Sequence, residues 1–106
     1  MEHRYLTVDQ MKAFAMYLRQ AEKSEATIEK YLRDVGAFCR FADGREVTKE
    51  LVMAWKRALV EQGYAVRSIN SMLASVNSLL AFHGWHECRV KNIRLQRQTY
   101  AQRSGN

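Results

Sequence analysis

The residues most open to chemistry in this chain are neutral ones. Between positions 67 and 81, once the apolar stripe is set aside, stand Arg67, Ser68, Asn70, Ser71, Ala74, Ser75, Asn77, Ser78 and Ala81. That surface is small and hydrogen-bonding, with one cation and no acid. A solvated helix face ordinarily carries Glu and Lys, whereas Ser, Asn and Ala let another surface come close. Against DNA, Ser and Asn can donate to phosphates or read base edges, and an Asn amide can bond adenine in two places. The same residue types suit close packing of one helix on another, within this chain or in a partner. A second group, Ser24, Thr27, Lys30 and Arg33, places hydroxyls and cations around a helix start, where free N–H groups suit a phosphate oxygen. Capping explains Ser24 by itself; Thr27 and Lys30 are less easily explained that way.

Catalytic and metal chemistry find no comparable footing. His83-Gly84-Trp85-His86-Glu87-Cys88 brings two imidazoles and a thiol close in sequence, but the spacing matches no closed zinc pattern and no Cys-x-x-Cys knuckle is present. Cys39 falls on a helical apolar stripe and reads as core. There is no Gly-rich phosphate loop, no recognisable Ser, His and Asp set, and nothing around Tyr100 that would activate it as a nucleophile. No catalytic residue, metal or cofactor is expected. Two cysteines make no disulfide framework, and no apolar run reaches the ~18 residues of a membrane span. No membrane partner is expected, and a reducing cytoplasm is the default compartment.

The elements that must carry these groups are helical. Period-2 alternation and hairpin turns are nearly absent, and the 3.6-residue period dominates. A first helix is expected from Thr7, with Thr7 and Gln10 as a capping box, to near Lys23, its stripe being Val8, Met11, Phe14, Ala15, Leu18 and Ala21. A second starts at Ser24, carries Ile28, Tyr31, Leu32, Val35, Phe38, Cys39 and Ala42, and stops at Gly44. Gly36 within it costs about 1 kcal/mol against alanine, which a close helix crossing would explain. A third runs from Thr48 to Gly63 with Leu51, Val52, Trp55 and Leu59 inward. A fourth runs from about Val66 to His83, without a capping oxygen at Ala65 or Val66.

Charge divides the chain of 106 residues unevenly. Positions 1–88 hold 12 Lys and Arg against 11 Asp and Glu, so nearly all of the net +6 lies in Arg89, Lys91, Arg94, Arg97 and Arg103. Residues 1–88 therefore read as a helical domain, and residues 89–106 as a basic tail, weakly ordered alone. A balanced body with a basic end suggests an anionic partner, most often nucleic acid.

The ordered series of segments resembles the N-terminal core-binding domain of tyrosine recombinases, the phage integrases. The resemblance runs over about residues 7–98. It rests on Met11-Lys12-Ala13-Phe14-Ala15-Met16-Tyr17-Leu18, on Ser24 through Val35, on Phe38-Cys39-Arg40-Phe41, on Val47-Thr48-Lys49-Glu50 with Trp55, Leu59 and Gly63-Tyr64, and on Ser68 through Phe82. Val90 through Gln98 is similar to the family's linker. The resemblance implies an all-α, four-helix SAM-like fold of two crossed helical hairpins. It also implies half of a clamp around a recombination site, with the second and fourth helices across the major groove. Double-stranded DNA would be the partner, contacted by Thr27, Lys30 and Arg33 on the second helix and by Arg67, Asn70, Ser71, Ala74, Ser75 and Ser78 on the fourth. Lys91, Arg94 and Arg97 would lie on phosphates. Other recombinase protomers would join on DNA in the full-length protein, the isolated domain being monomeric. The family's catalytic Arg, Lys, His and Tyr belong to a C-terminal domain not seen here, so this chain is expected to bind rather than to catalyse. The other class of function is a small all-α protein-interaction module that packs the Ser/Asn/Ala face on a partner helix. Lys30→Ala and Arg67→Ala are expected to weaken DNA binding with the fold intact.

Overall fold

Three of the four helices begin on a hydroxyl. In the computed structural model, which describes residues 4–94, α1 spans Val8–Gln20, α2 Glu25–Ala42, α3 Lys49–Glu61 and α4 Val66–Phe82, followed by a short 3-10 turn, His86–Cys88. Thr7 accepts from the Gln10 N–H at 3.2 Å while the Gln10 side chain accepts from the Thr7 N–H at 3.1 Å. Ser24 accepts from the Thr27 N–H at 3.1 Å and Thr48 from the Leu51 N–H at 3.0 Å. Each such cap is worth about 1 kcal/mol. Ala65 offers none, so α4 starts on backbone geometry and packing alone.

Three of the four helix ends follow one pattern. Tyr64 N–H reaches back to Leu59 O, Trp85 N–H to Leu80 O and Lys23 N–H to Leu18 O, closing α3, α4 and α1 with a six-residue loop. The turn residue must adopt positive φ. Gly63 and Gly84 do so freely at 88° and 78°, whereas at the end of α1 the residue is Glu22 at 62°. This reversal ends α1 at Gln20, three residues before the expected Lys23.

α1–α2 and α3–α4 form two helical hairpins that meet mainly along α2 and α4. One apolar cluster gathers Phe14, Leu18, Ile28, Val35 and Leu79. The larger one joins Phe38 and Ala42 of α2, Leu51, Val52, Trp55 and Leu59 of α3, and Ile69, Leu73, Val76 and Leu80 of α4. Phe38 meets Trp55 edge-on at 5.2 Å. Most of the expected stripe positions fill these clusters, but Val8 is 67% exposed at the start of α1 and Ala21 is exposed at its C-cap. Gly36 is not at a close helix crossing: a methyl there would meet only the Arg40 guanidinium, at an ordinary 3.5 Å. The architecture is the expected all-α one of four helices in two hairpins, with no strand among the described residues. None of the described helices is long and apolar enough to cross a membrane.

The larger cluster does not stop where the helices do. Trp85, Cys88 and Val90 are buried in it and Ile93 packs against it. The body therefore continues past the expected boundary at residue 88, because two apolar residues of the basic segment belong to the core. Arg97 and the rest of 95–106 lie outside the described residues. The N-terminal segment closes the same end: Val47 N–H donates to Arg4 O at 2.6 Å, and the Arg4 guanidinium pairs with Glu87 and lies 5.8 Å from the Trp85 ring.

Candidate nucleic-acid interface

The outer face of α4 divides into three stripes. Successive residues turn by 100°, so positions seven apart nearly coincide in angle. Asn70 and Asn77 thus share one flank, Ser71 and Ser75 the other, and Arg67, Ala74, Ser78 and Ala81 occupy the ridge between.

The Ser71/Ser75 flank faces α2. Ser75 is fully buried and donates its hydroxyl proton to Asp34 Oδ2 at 2.7 Å. Lys30 donates to the same carboxylate oxygen at 2.5 Å, to Ser75 Oγ at 3.3 Å and to the Ser71 carbonyl at 3.3 Å. Asp34, on the α4 side of α2, is buried, and Lys30 and Ser75 supply the hydrogen bonds that burial would otherwise deny it. Ser75 was expected on DNA and is instead sealed inside the helix seam. Its hydroxyl is also closed to any substrate. Lys30 keeps about a third of its side chain exposed, yet its ammonium is engaged within the protein.

The Asn70/Asn77 flank faces the segment after the 3-10 turn. Asn77 accepts from the Val90 N–H at 3.1 Å and donates to the Val90 carbonyl at 2.9 Å. Asn70 does the same to Ile93, at 2.7 and 3.0 Å. Lys56 of α3 donates to the Lys91 carbonyl at 2.6 Å. Asn70 is among the residues expected on DNA; both ends of its amide are instead occupied by the chain's own backbone. Asn77 belongs to the polar face legible in the sequence, but residue type alone does not single it out. Its signal was the seven-residue spacing from Asn70.

What remains open is the ridge and its margins. Arg67 and Ala74 are exposed, and Ser71, Ser78 and Ala81 half-buried. On the α2 side Arg33 is exposed, with no ion pair among the described residues. Thr27 is half-buried, its hydroxyl accepting from Ser24 at 2.9 Å, so it completes the cap that it had been thought to exceed. On the other margin Arg89, Lys91 and Arg94 are exposed. From Val66 to His86 the sequence has no acid, and Asp34 is neutralised by Lys30. A ridge free of acid, its one charge being Arg67, thus runs between two cationic margins. At its C-terminal end it meets an open groove of about 420 Å³ lined by Tyr17, Lys23, Tyr31, Ser78 and Phe82.

The histidine and cysteine run serves packing. His83 lies half-buried between Phe82 and Trp85, each about 5.0 Å away, and burial lowers its pKa. Burial raises the Cys88 thiol. Hydrogen bonding to its own backbone N–H, and then to Arg4, lowers the Glu87 carboxyl.

Comparison with curated proteins and with solved structures returned no match. The family model for the phage integrase N-terminal SAM-like domain matches residues 11–87, from the first turn of α1 to the 3-10 turn. The arrangement of four helices agrees with that match over its whole span, and the chain belongs to the phage integrase N-terminal SAM-like domain family.

Proposed function

We propose that this domain binds double-stranded DNA as the non-catalytic, clamping part of a site-specific recombinase. The carrying observation is the α4 ridge: free of acid, with Arg67 at its N-terminal end, and bounded by Arg33 on one margin and by Lys91 and Arg94 on the other. Ser71, Ala74 and Ser78 are small enough to let duplex edges approach, and the cations supply the phosphate contacts that dominate affinity. Thr27 and Lys30 sit beside this surface, with Lys30 shaping it through Asp34. Arg97 would add a phosphate contact of its own. Strand cleavage belongs to another domain, and other protomers assemble on the same DNA.

The test is duplex binding by fluorescence anisotropy across a salt series. About four phosphate contacts give a log–log slope near −3.6, or roughly a hundredfold loss of affinity between 50 and 200 mM salt. Arg67→Ala should reduce that slope by about one. Binding insensitive to salt, or no binding with self-association through α4, would sink this reading and favour a protein-interaction module.

A further inference from the structure

Residues 89–94 are held by their backbone and by the apolar side chains of Val90 and Ile93, and not by their charge. Both Asn clamps grip the N–H and the carbonyl of one residue, as a neighbouring β-strand would, and Lys56 takes the carbonyl between them. The spacing is matched on both sides. Two helical turns from Asn70 to Asn77 rise about 10.5 Å. Three residues of polyproline II-like chain cover about 9 Å. Val90 and Ile93 face the body while Lys91, Asn92 and Arg94 face solvent, a period of three, and Arg89 enters with φ −68° and ψ 148°. The segment runs antiparallel to α4, from Asn77 toward Asn70, so Arg94 comes out at the Arg67 end of the ridge.

We propose that Asn70 and Asn77 are positioning residues that hold 89–94 as a preformed strap, and that the strap presents Lys91 and Arg94 to the duplex backbone as a fixed cationic rail. This rests on the DNA-binding reading above and assigns its clamp residues a role that the ridge does not have. The clamp reads only main chain, so the outward side chains are free to face the ligand. A segment already ordered does not lose its conformational freedom on binding. The strap also sets the direction in which the chain leaves the domain.

The experiment is a mutant cycle on the full chain with two readouts. In Asn70→Ala/Asn77→Ala, amide exchange at Val90 and Ile93 should quicken at least tenfold while exchange within α2 and α4 is unchanged. Duplex affinity should fall roughly tenfold, the ordering cost of about one residue. Asn70→Asp keeps the acceptor for Ile93 N–H but sets a carboxylate against its carbonyl; it should release Ile93 and leave Val90 protected. In a Lys91→Gln/Arg94→Gln background the Asn substitutions should lose their effect on DNA affinity and keep their effect on exchange. Unchanged exchange in the double Asn variant overturns the clamp. An affinity loss that persists in the Gln background overturns the positioning role, because the amides would then touch DNA themselves. A wild-type chain that binds no duplex overturns the rail together with the DNA reading, while the exchange result still decides the clamp.

Discussion

The two flanks of α4 solve the same problem with opposite chemistry. Each must join the helix to a neighbour through polar side chains. Toward α2 the joint is ionic: Lys30, Asp34 and Ser75 form a closed network with Asp34 and Ser75 withdrawn from water. Toward the strap the joint is neutral: two amides grip main chain, with Asn70 and Asn77 half-buried. The difference matters on breakage. A buried carboxylate that loses its cation has no water to replace it. An amide clamp that opens near the surface gives its partners back to solvent. The ionic flank should therefore act on global stability and the neutral flank on one local segment.

The largest effect that separates them is expected from Lys30→Met, which keeps the stem and removes the charge. It leaves Asp34 with Ser75 alone and should lower unfolding stability by about 3 kcal/mol. Urea melts that move by less than 1 kcal/mol would show that Asp34 finds water, and would erase the contrast. Lys30→Ala is for the same reason no clean test of DNA contact, contrary to the expectation from sequence; Arg33→Ala and Arg67→Ala are. Asn77→Ala comes next, at about 1–2 kcal/mol for two hydrogen bonds at a position where Val90 is buried. Its signature should be local, with exchange quickening at 89–94. A uniform loss of protection through α2 and α3 would instead make the strap part of the global unit.

Titration provides a third separation, because His83 lies on neither flank. Its pKa in the folded chain is lowered by burial, so the unfolded chain takes up the proton first, near the ordinary histidine pKa. Stability should thus be full above that value and fall as pH drops through it toward the lower folded pKa. His83→Gln should flatten this slope below the ordinary histidine pKa of about 6.5, with thermal melts at each pH as the readout. A slope unchanged in the variant would assign it to other groups. The smallest effects are gains. Gly36→Ala has room for its methyl and should add about 1 kcal/mol to α2 without touching either joint. Glu22→Gly should relieve about 1 kcal/mol of left-handed strain at φ 62°. If Gly36→Ala disturbs the Lys30 network in NMR shifts, the α2 flank is more sensitive to helix stiffness than its contacts indicate.

Much of this was legible in advance because it depends on neighbours in sequence. Thr7, Ser24 and Thr48 cap their own helices, and the 3.6-residue period places Phe38, Trp55, Leu73 and Val76 inward whatever they pack against. The four helices and the family resemblance follow from such local regularities. The strap escaped because its period is three, between the two periods by which strands and helices are sought, and because Val90 and Ile93 are diluted among cations. The polar face was recognised as a surface for close approach, but residue types alone could not say what approached it. Ser75, Asn70 and Lys30 have the same chemistry whether they meet a phosphate, a base or the chain's own backbone.

Which of these each one meets is a matter of angle and distance between elements remote in sequence. Asp34 lies 41 positions from Ser75, and Asn70 lies 23 from Ile93. Only when α2 and the strap are laid on α4 are those polar groups consumed in pairs, leaving Arg67, Ala74 and Ser78 to face outward. Hydrogen-bonding capacity is written in the side chain; its partner is chosen by the packing that brings one within 3 Å and shuts out the water that would otherwise compete.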